Sequence, residues 1–346
     1  MQVPNLFSGY SFTLLKSYKF NHRMKFLPLC ILIAWMLFVH TDDFLSAQTV
    51  TGQEHLDSDI AERFSKMDRR SNWEYVRSRL LLFTTFHTQG MANVNGTWYL
   101  STVEIMEHTT PIVDNPDVDR TPGQGRGYLI AYNENGDKIG ETVLGDGDIY
   151  HPGGIDSDGS YIWVPVGEYR PGSRSIIYRV DAETLEAHEV FHFPDHIGAL
   201  VRDTEKNRLI GYSWGSRRIY EWPLDDSLNL LHAPNGEHPH YILNPQHYID
   251  YQDCQFLGGA LALCSGISNY SDPGGLYFSL GGIDLIDLDT LRPLHQFPVE
   301  LFTGGDQPRV MTQNPFFAEK SGCGLRFHFI PEDDVSRHYV FEVCTE

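Results

Sequence analysis

A histidine, or a polar substitute for one, returns beside glycine at the start of successive β-prone segments. These read FHTQGMANVNGTWYLST at 86–102, YHPGGIDSDGSYIWVPVGEY at 150–169 and DHIGALVRDTEKNRLIGYSW at 195–214. A fourth, YQDCQFLGGALALCSG at 251–266, puts Gln252 and Asp253 in the histidine's place. A unit of one four-stranded sheet cannot bury both its faces alone, so repeats of this size stack around an axis as propeller blades. The fold class is therefore all-β, a β-propeller, and the recurrent position lies where the blades converge. A β-sandwich would leave the four-strand period without a reason.

Turn chemistry marks the blades. Asn95-Gly96, Asn135-Gly136 and Asp158-Gly159 are two-residue hairpin signals. The last unit offers strands only at 309–313, 324–329 and 338–343, one short of a blade. The missing strand is expected from 73–83 (WEYVRSRLLLF), which has no hairpin partner of its own. Pairing the two chain ends would close the ring and leave no bare sheet edge. The count is then five blades of about 55 residues each. A six-bladed ring needs a further unit inside 225–249 or 104–125, and neither stretch supplies four strands.

The N-terminal 47 residues read as a signal peptide, with Met24 as an alternative start. Lys16, Lys19, Arg23 and Lys25 precede the apolar run 26–39, and Leu45-Ser46-Ala47 supplies a small-residue exit. Residues 48–72 form a polar lead-in, helical over 54–70, and 73–346 form a single propeller domain. Residues 1–47 hold four Lys/Arg and two Asp/Glu, so the net charge of −20 becomes −22 without them. With no basic stripe, nucleic acid is excluded as a partner, and no stable membrane insertion is expected after cleavage. The reading is a secreted or periplasmic monomer. Cysteine usage agrees: Cys254, Cys264, Cys323 and Cys344 remain, an even number. Cys254 and Cys264 flank a Gly-Gly turn, and Cys323 and Cys344 lie near the ends of the last blade, which favours pairs 254–264 and 323–344. Spacings of ten and twenty-one do not suit a zinc Cys₄ site.

His87, His151, His196 and the Gln252–Asp253 pair are expected to ring one mouth of the axis, with Gln307 and Arg309 from the last blade. Neutral imidazoles are metal ligands near pH 7, so a divalent ion on the axis, held by the three histidines, is one expectation. A metal-free polar pocket is the second, and hydrogen-bonded blade-turn histidines with no ligand are the third. Glu168 and Asp253 are candidate proton carriers and Arg309 an orienting cation, with Gln89, Tyr169, Trp214, Gln252 and Gln307 as substrate contacts. No G-x-S-x-G elbow, H-E-x-x-H helix, EF-hand loop or phosphate loop is present.

The first blade resembles that of the plant-type glutaminyl cyclases. Thr88-Gln89-Gly90, Tyr99 and Ser101-Thr102 match its F-T-Q-G-L…L-Y-E-S-T pattern, while Leu100 fills the position of the family's important glutamate. That resemblance implies a five-bladed ring and an acyl transfer from which Leu100 removes a key group. The chain as a whole, through H-P-G-G-I-D…I-W-V-P-V-x-E-Y, is similar to an uncharacterised family of secreted bacterial and fungal β-propellers. The expected function is a hydrolase, lactonase/esterase or carbohydrate-active, working on a small polar molecule or carbohydrate at the axis. The alternative is a non-catalytic binding or scaffold propeller.

Overall fold

The computed structural model describes residues 59–113, 119–233, 239–306 and 308–345. The expected signal peptide and Gln307 lie outside them. Five antiparallel sheets of four strands in sequence build the ring. Blade one holds His87–Val94, Thr97–Glu107, Gln124–Tyr132 and Lys138–Leu144. Blade two splits its inner strand into Ile149–Pro152 and Asp156–Ser157, followed by Tyr161–Glu168, Ser175–Asp181 and Ala187–Phe193. Blade three runs Ile197–Asp203, Arg208–Ser213, Arg218–Pro223 and the two-residue Ile242–Leu243. Blade four has Asp250–Gly258, Leu261–Ser271, Tyr277–Asp287 and Arg292–Val299. Blade five has Phe316–Lys320, Gly324–Phe329 and Arg337–Cys344, and its outer strand is Glu74–Leu80.

The expected closure is therefore present. Glu74 to Leu80 run antiparallel to Glu342 to Arg337, so the N-terminal strand caps the last blade. The innermost strand of that blade differs from expectation. Residues 309–313 are not a strand: Met311–Gln313 form a 3₁₀ turn, and the strand begins at Phe316. Asn95 and Gly96 both take positive φ (52° and 86°), as the tight primed hairpin requires.

Five apolar clusters fill the five spaces between neighbouring blades. Inner strands are thus buried on both faces. In Tyr161–Glu168, Ile162, Val164 and Val166 pack toward blade one while Trp163 packs toward blade three. This is why IWVPV reads as a continuous apolar run instead of alternating. The lead-in is less peripheral than the sequence suggests. A helix at Asp59–Ser65 buries Ala61 and Phe64, and Met67 follows them into the cluster between blades four and five. Bridges join Cys254 to Cys264 and Cys323 to Cys344, the expected pairing.

The seam between blades five and one carries a buried polar chain. Glu319 Oε1 meets His328 Nε2 at 3.2 Å, His328 Nδ1 meets His338 Nε2 at 2.8 Å, and His338 Nδ1 meets the Tyr132 hydroxyl at 3.2 Å. Burial lowers the pKa of both histidines, and for His338 the neighbouring His328 adds to it. The unfolded chain therefore takes up these protons first. Stability is complete above the unfolded value of about 6.5 and is lost as pH falls below it toward the folded values. Urea melts at pH 7.5 and 5.5 should show a loss on acidification that is smaller in His338→Phe. An equal loss in both proteins would refute the assignment.

Candidate functional site

The same local device opens the inner strands of blades one to four. The ladder slips by one residue at Gln89, Tyr150, Gly198 and Gln252, a β-bulge at each position. A bulge inserts an unpaired residue and re-aims its side chain, a habit of backbone next to binding sites. Here it turns Gln89 and Gln252 onto a cavity of about 320 Å³ at one end of the axis. Below this cavity the strands close on one another. A side chain at Gly154 would strike the Gln252 carbonyl oxygen at 2.3 Å and Asp253 Cα at 2.7 Å, so the HPGG glycines are the condition for this floor.

His87, His151 and His196 stand side by side on the cavity wall. Ring centroids are 6.0 Å apart for His87–His151 and 6.3 Å for His151–His196. Two of the rings have one nitrogen fixed. His87 Nδ1 meets Asp333 Oδ1 at 2.9 Å, and Arg309 donates to Asp333 Oδ2 at 2.8 Å. Burial works to raise the Asp333 carboxyl, but the His87 hydrogen bond and the nearby Arg309 guanidinium outweigh it and hold it below the usual carboxylate range. His196 Nδ1 donates to the Glu168 carbonyl at 2.7 Å. Because that carbonyl only accepts, the proton of neutral His196 sits on Nδ1 and its Nε2 carries a lone pair. Burial lowers the pKa of His196 against the pull of this bond.

His151 is the exception. It is 5% exposed, and neither ring nitrogen has a hydrogen-bond partner among the described residues. Burial, then His87 and His196, drive its pKa well below the usual value and keep the ring neutral. It stacks on Tyr169 (4.1 Å, 12°), and Tyr169 and His196 both touch Trp214. Arg120 covers Trp214 from the long loop of blade one at 5.0 Å. A wider groove of about 560 Å³ shares His87 and Tyr169 with the cavity and reaches Asp333 and Phe86.

The remaining sequence candidates fall elsewhere. Glu168 is 1% exposed with its carboxylate clamped by Arg170 and Arg174, each Nε at 2.6 Å; its contribution at the cavity is its backbone carbonyl. Asp253 is fully buried beneath the floor, where its carboxylate accepts the N–H groups of Met91, Ile155 and Phe316 from three other blades. Arg309 faces Asp333 and not the cavity. Among the described residues no group of three or more His, Cys, Asp or Glu is disposed to hold a metal ion. The three imidazoles alone, as their rings stand, give the expected ion no ligand set.

Three participants were not foreseen. Asp250 and Asn314 line the cavity, and Asp333 orients His87. Asn314 precedes the inner strand of blade five much as His196 precedes that of blade three; the expected strand at 309–313 lies seven residues before the observed one, which hid it. Leu100 is packed among Met91, Trp98 and Ile330 and does not line the cavity.

Residues 50–344 match a family described as "Family of unknown function (DUF6454)", and the chain belongs to it. No curated protein matches. Among solved structures, it is similar to Kuenenia stuttgartiensis hydrazine synthase at 10% identity and a TM-score of 0.36, covering 74% of this chain and 58% of that one. It is also similar to the tail fiber of Staphylococcus aureus phage P68 at 12% identity and a TM-score of 0.42, covering 82% and 55%. The chain thus spans little more than half the length of either. No helix among the described residues is long and apolar enough to cross a membrane.

Proposed function

We propose that the axial cavity of this family member is a reaction site for a small polar carbonyl compound, an ester or lactone, hydrolysed without a resident metal. The observation that carries this reading is His151, an imidazole sealed in the wall with both nitrogens unpaired. An unsatisfied buried polar group costs about 1–3 kcal/mol, and such groups persist where a ligand completes them.

The chemistry follows from the tautomers. Asp333 holds the His87 proton on Nδ1, which leaves Nε2 to take a proton from water, as a carboxylate–imidazole pair does in hydrolases. The water oxygen bonds to the carbonyl carbon while His151, its ring turned off Tyr169 to bring a nitrogen out of the wall, donates its N–H to the carbonyl oxygen. The C–O bond of the ester then breaks, and the His87 proton passes to the leaving alkoxide. Burial keeps the His151 ring neutral, and a neutral imidazole still carries one N–H to donate. The two disulfides support an exported location, and thiol labelling of the protein from its host should find no reactive cysteine in the folded domain.

Hydrolysis of a panel of simple esters, γ-lactones and δ-lactones tests the reaction. His87→Ala should lower kcat/KM by about 10²–10⁴-fold on whichever substrate is turned over. Full activity in that variant would reject the mechanism. Stoichiometric zinc or another transition metal in active protein purified without chelator would replace it with a metal-dependent one.

A further inference from the structure

We infer that the axial ligand is a neutral polyhydroxylated molecule, such as a sugar or sugar lactone; this rests on the cavity being the ligand site proposed above. The carrying observation is how the polar side chains of the wall are oriented. Gln89 Nε2 donates to the Thr88 carbonyl at 2.8 Å, and Gln252 Nε2 donates to the Asp250 carbonyl at 3.3 Å. Thr88 Oγ1 spends its proton on the Ile330 carbonyl, so it accepts from Asn314 Nδ2 at 3.4 Å. Each of these amides commits one N–H to the protein, keeps the other, and has no donor on its carbonyl oxygen among the described residues. His196 Nε2, and His87 Nε2 when that ring is neutral, add lone pairs beside them. The wall thus offers free acceptors beside donors such as the second amide N–H groups and the His151 ring N–H.

Such a wall calls for groups that both donate and accept. An anion is disfavoured, because no lining side chain is Lys or Arg. An organic cation finds no free counter-charge: Asp250 is paired with Arg217 at 2.7 Å, and Asp333 with Arg309 and His87. A metal ion finds no ligand set, because no group of three or more His, Cys, Asp or Glu among the described residues is disposed to hold one. Hydroxyl groups spread over a ring meet all three conditions, and a cavity of about 320 Å³ is at the small end of ordinary ligand pockets.

The test compares δ-gluconolactone with δ-valerolactone, the same ring without hydroxyls, and measures binding of glucose, putrescine, inorganic phosphate and zinc by calorimetry. The hydroxylated lactone should be preferred by at least tenfold in kcat/KM. Gln252→Leu should cut that preference by about tenfold, the worth of one or two hydrogen bonds. Gln252 is only partly buried, so the variant should fold, and its circular dichroism melt verifies this. Equal or better use of δ-valerolactone would overturn the inference and leave the hydrolytic site standing. Binding of putrescine, phosphate or zinc in preference to glucose would overturn it as well. If no probe binds or reacts, the reading of the cavity as a site falls along with it.

Discussion

Asp253→Ala should be among the most destabilising single substitutions in this chain, costing about 3–5 kcal/mol. The carboxylate lies fully buried on the axis and binds the backbone N–H groups of Met91, Ile155 and Phe316 at 2.8–2.9 Å. One side chain thus ties blade four to blades one, two and five. Alanine would leave those three donors in a space without water, and each orphaned buried group costs about 1–3 kcal/mol. Asp156 does a related job, accepting from Arg202 and Phe256, so blades three and four retain their own tie. Asp253→Asn keeps one acceptor oxygen and should lose less. Chemical denaturation of the two variants reads this directly, and an alanine variant within about 1 kcal/mol of the parent would mean the axial carboxylate is dispensable.

Removing the chain through residue 83 should abolish cooperative unfolding. The deletion bares the Arg337–Glu342 edge, whose N–H and C=O groups then invite pairing with another chain. It also removes Trp73, whose ring packs against Phe327 at 4.9 Å and Phe297 at 6.1 Å. Removing only the helix before it is a milder change, though not a silent one, because Phe64 is fully buried and burial of such a side chain is worth about 1.5–3 kcal/mol. Circular dichroism melts should therefore rank the parent above the chain lacking residues 1–66, and that chain above one lacking 1–83. A sharp transition in the shortest chain would show that the ring closes without its N-terminal strand.

The blade period, the closing strand and both disulfides were legible because each depends on local chemistry: turn dipeptides, β-prone runs and cysteine spacing. So was the approach of His87, His151 and His196, since equivalent places in a repeat meet at the axis. Roles were not legible. Glu168 ends an apolar strand and looked free, yet Arg170 and Arg174 close over its carboxylate. Asp253 occupies a histidine's place in the repeat, but the bulge at Gln252 turns the amide toward the cavity and the carboxylate beneath it. Asp333 sits outside every repeat signature, in the loop before Arg337–Cys344, and only the folded ring brings it to His87. Side-chain direction at a bulge, and contacts made through loops, are properties of the closed ring.

The most direct test of the axial site is His151→Phe, assayed for stability and for δ-gluconolactone hydrolysis in the same preparation. Phenylalanine keeps the stacking on Tyr169 and removes two unpartnered nitrogens. If His151 is held for a ligand, the variant melts at or above the parent temperature while kcat/KM falls by about 10²-fold or more. A lower melting temperature with hydrolysis undiminished would show that the imidazole serves the fold and that the cavity is not the site.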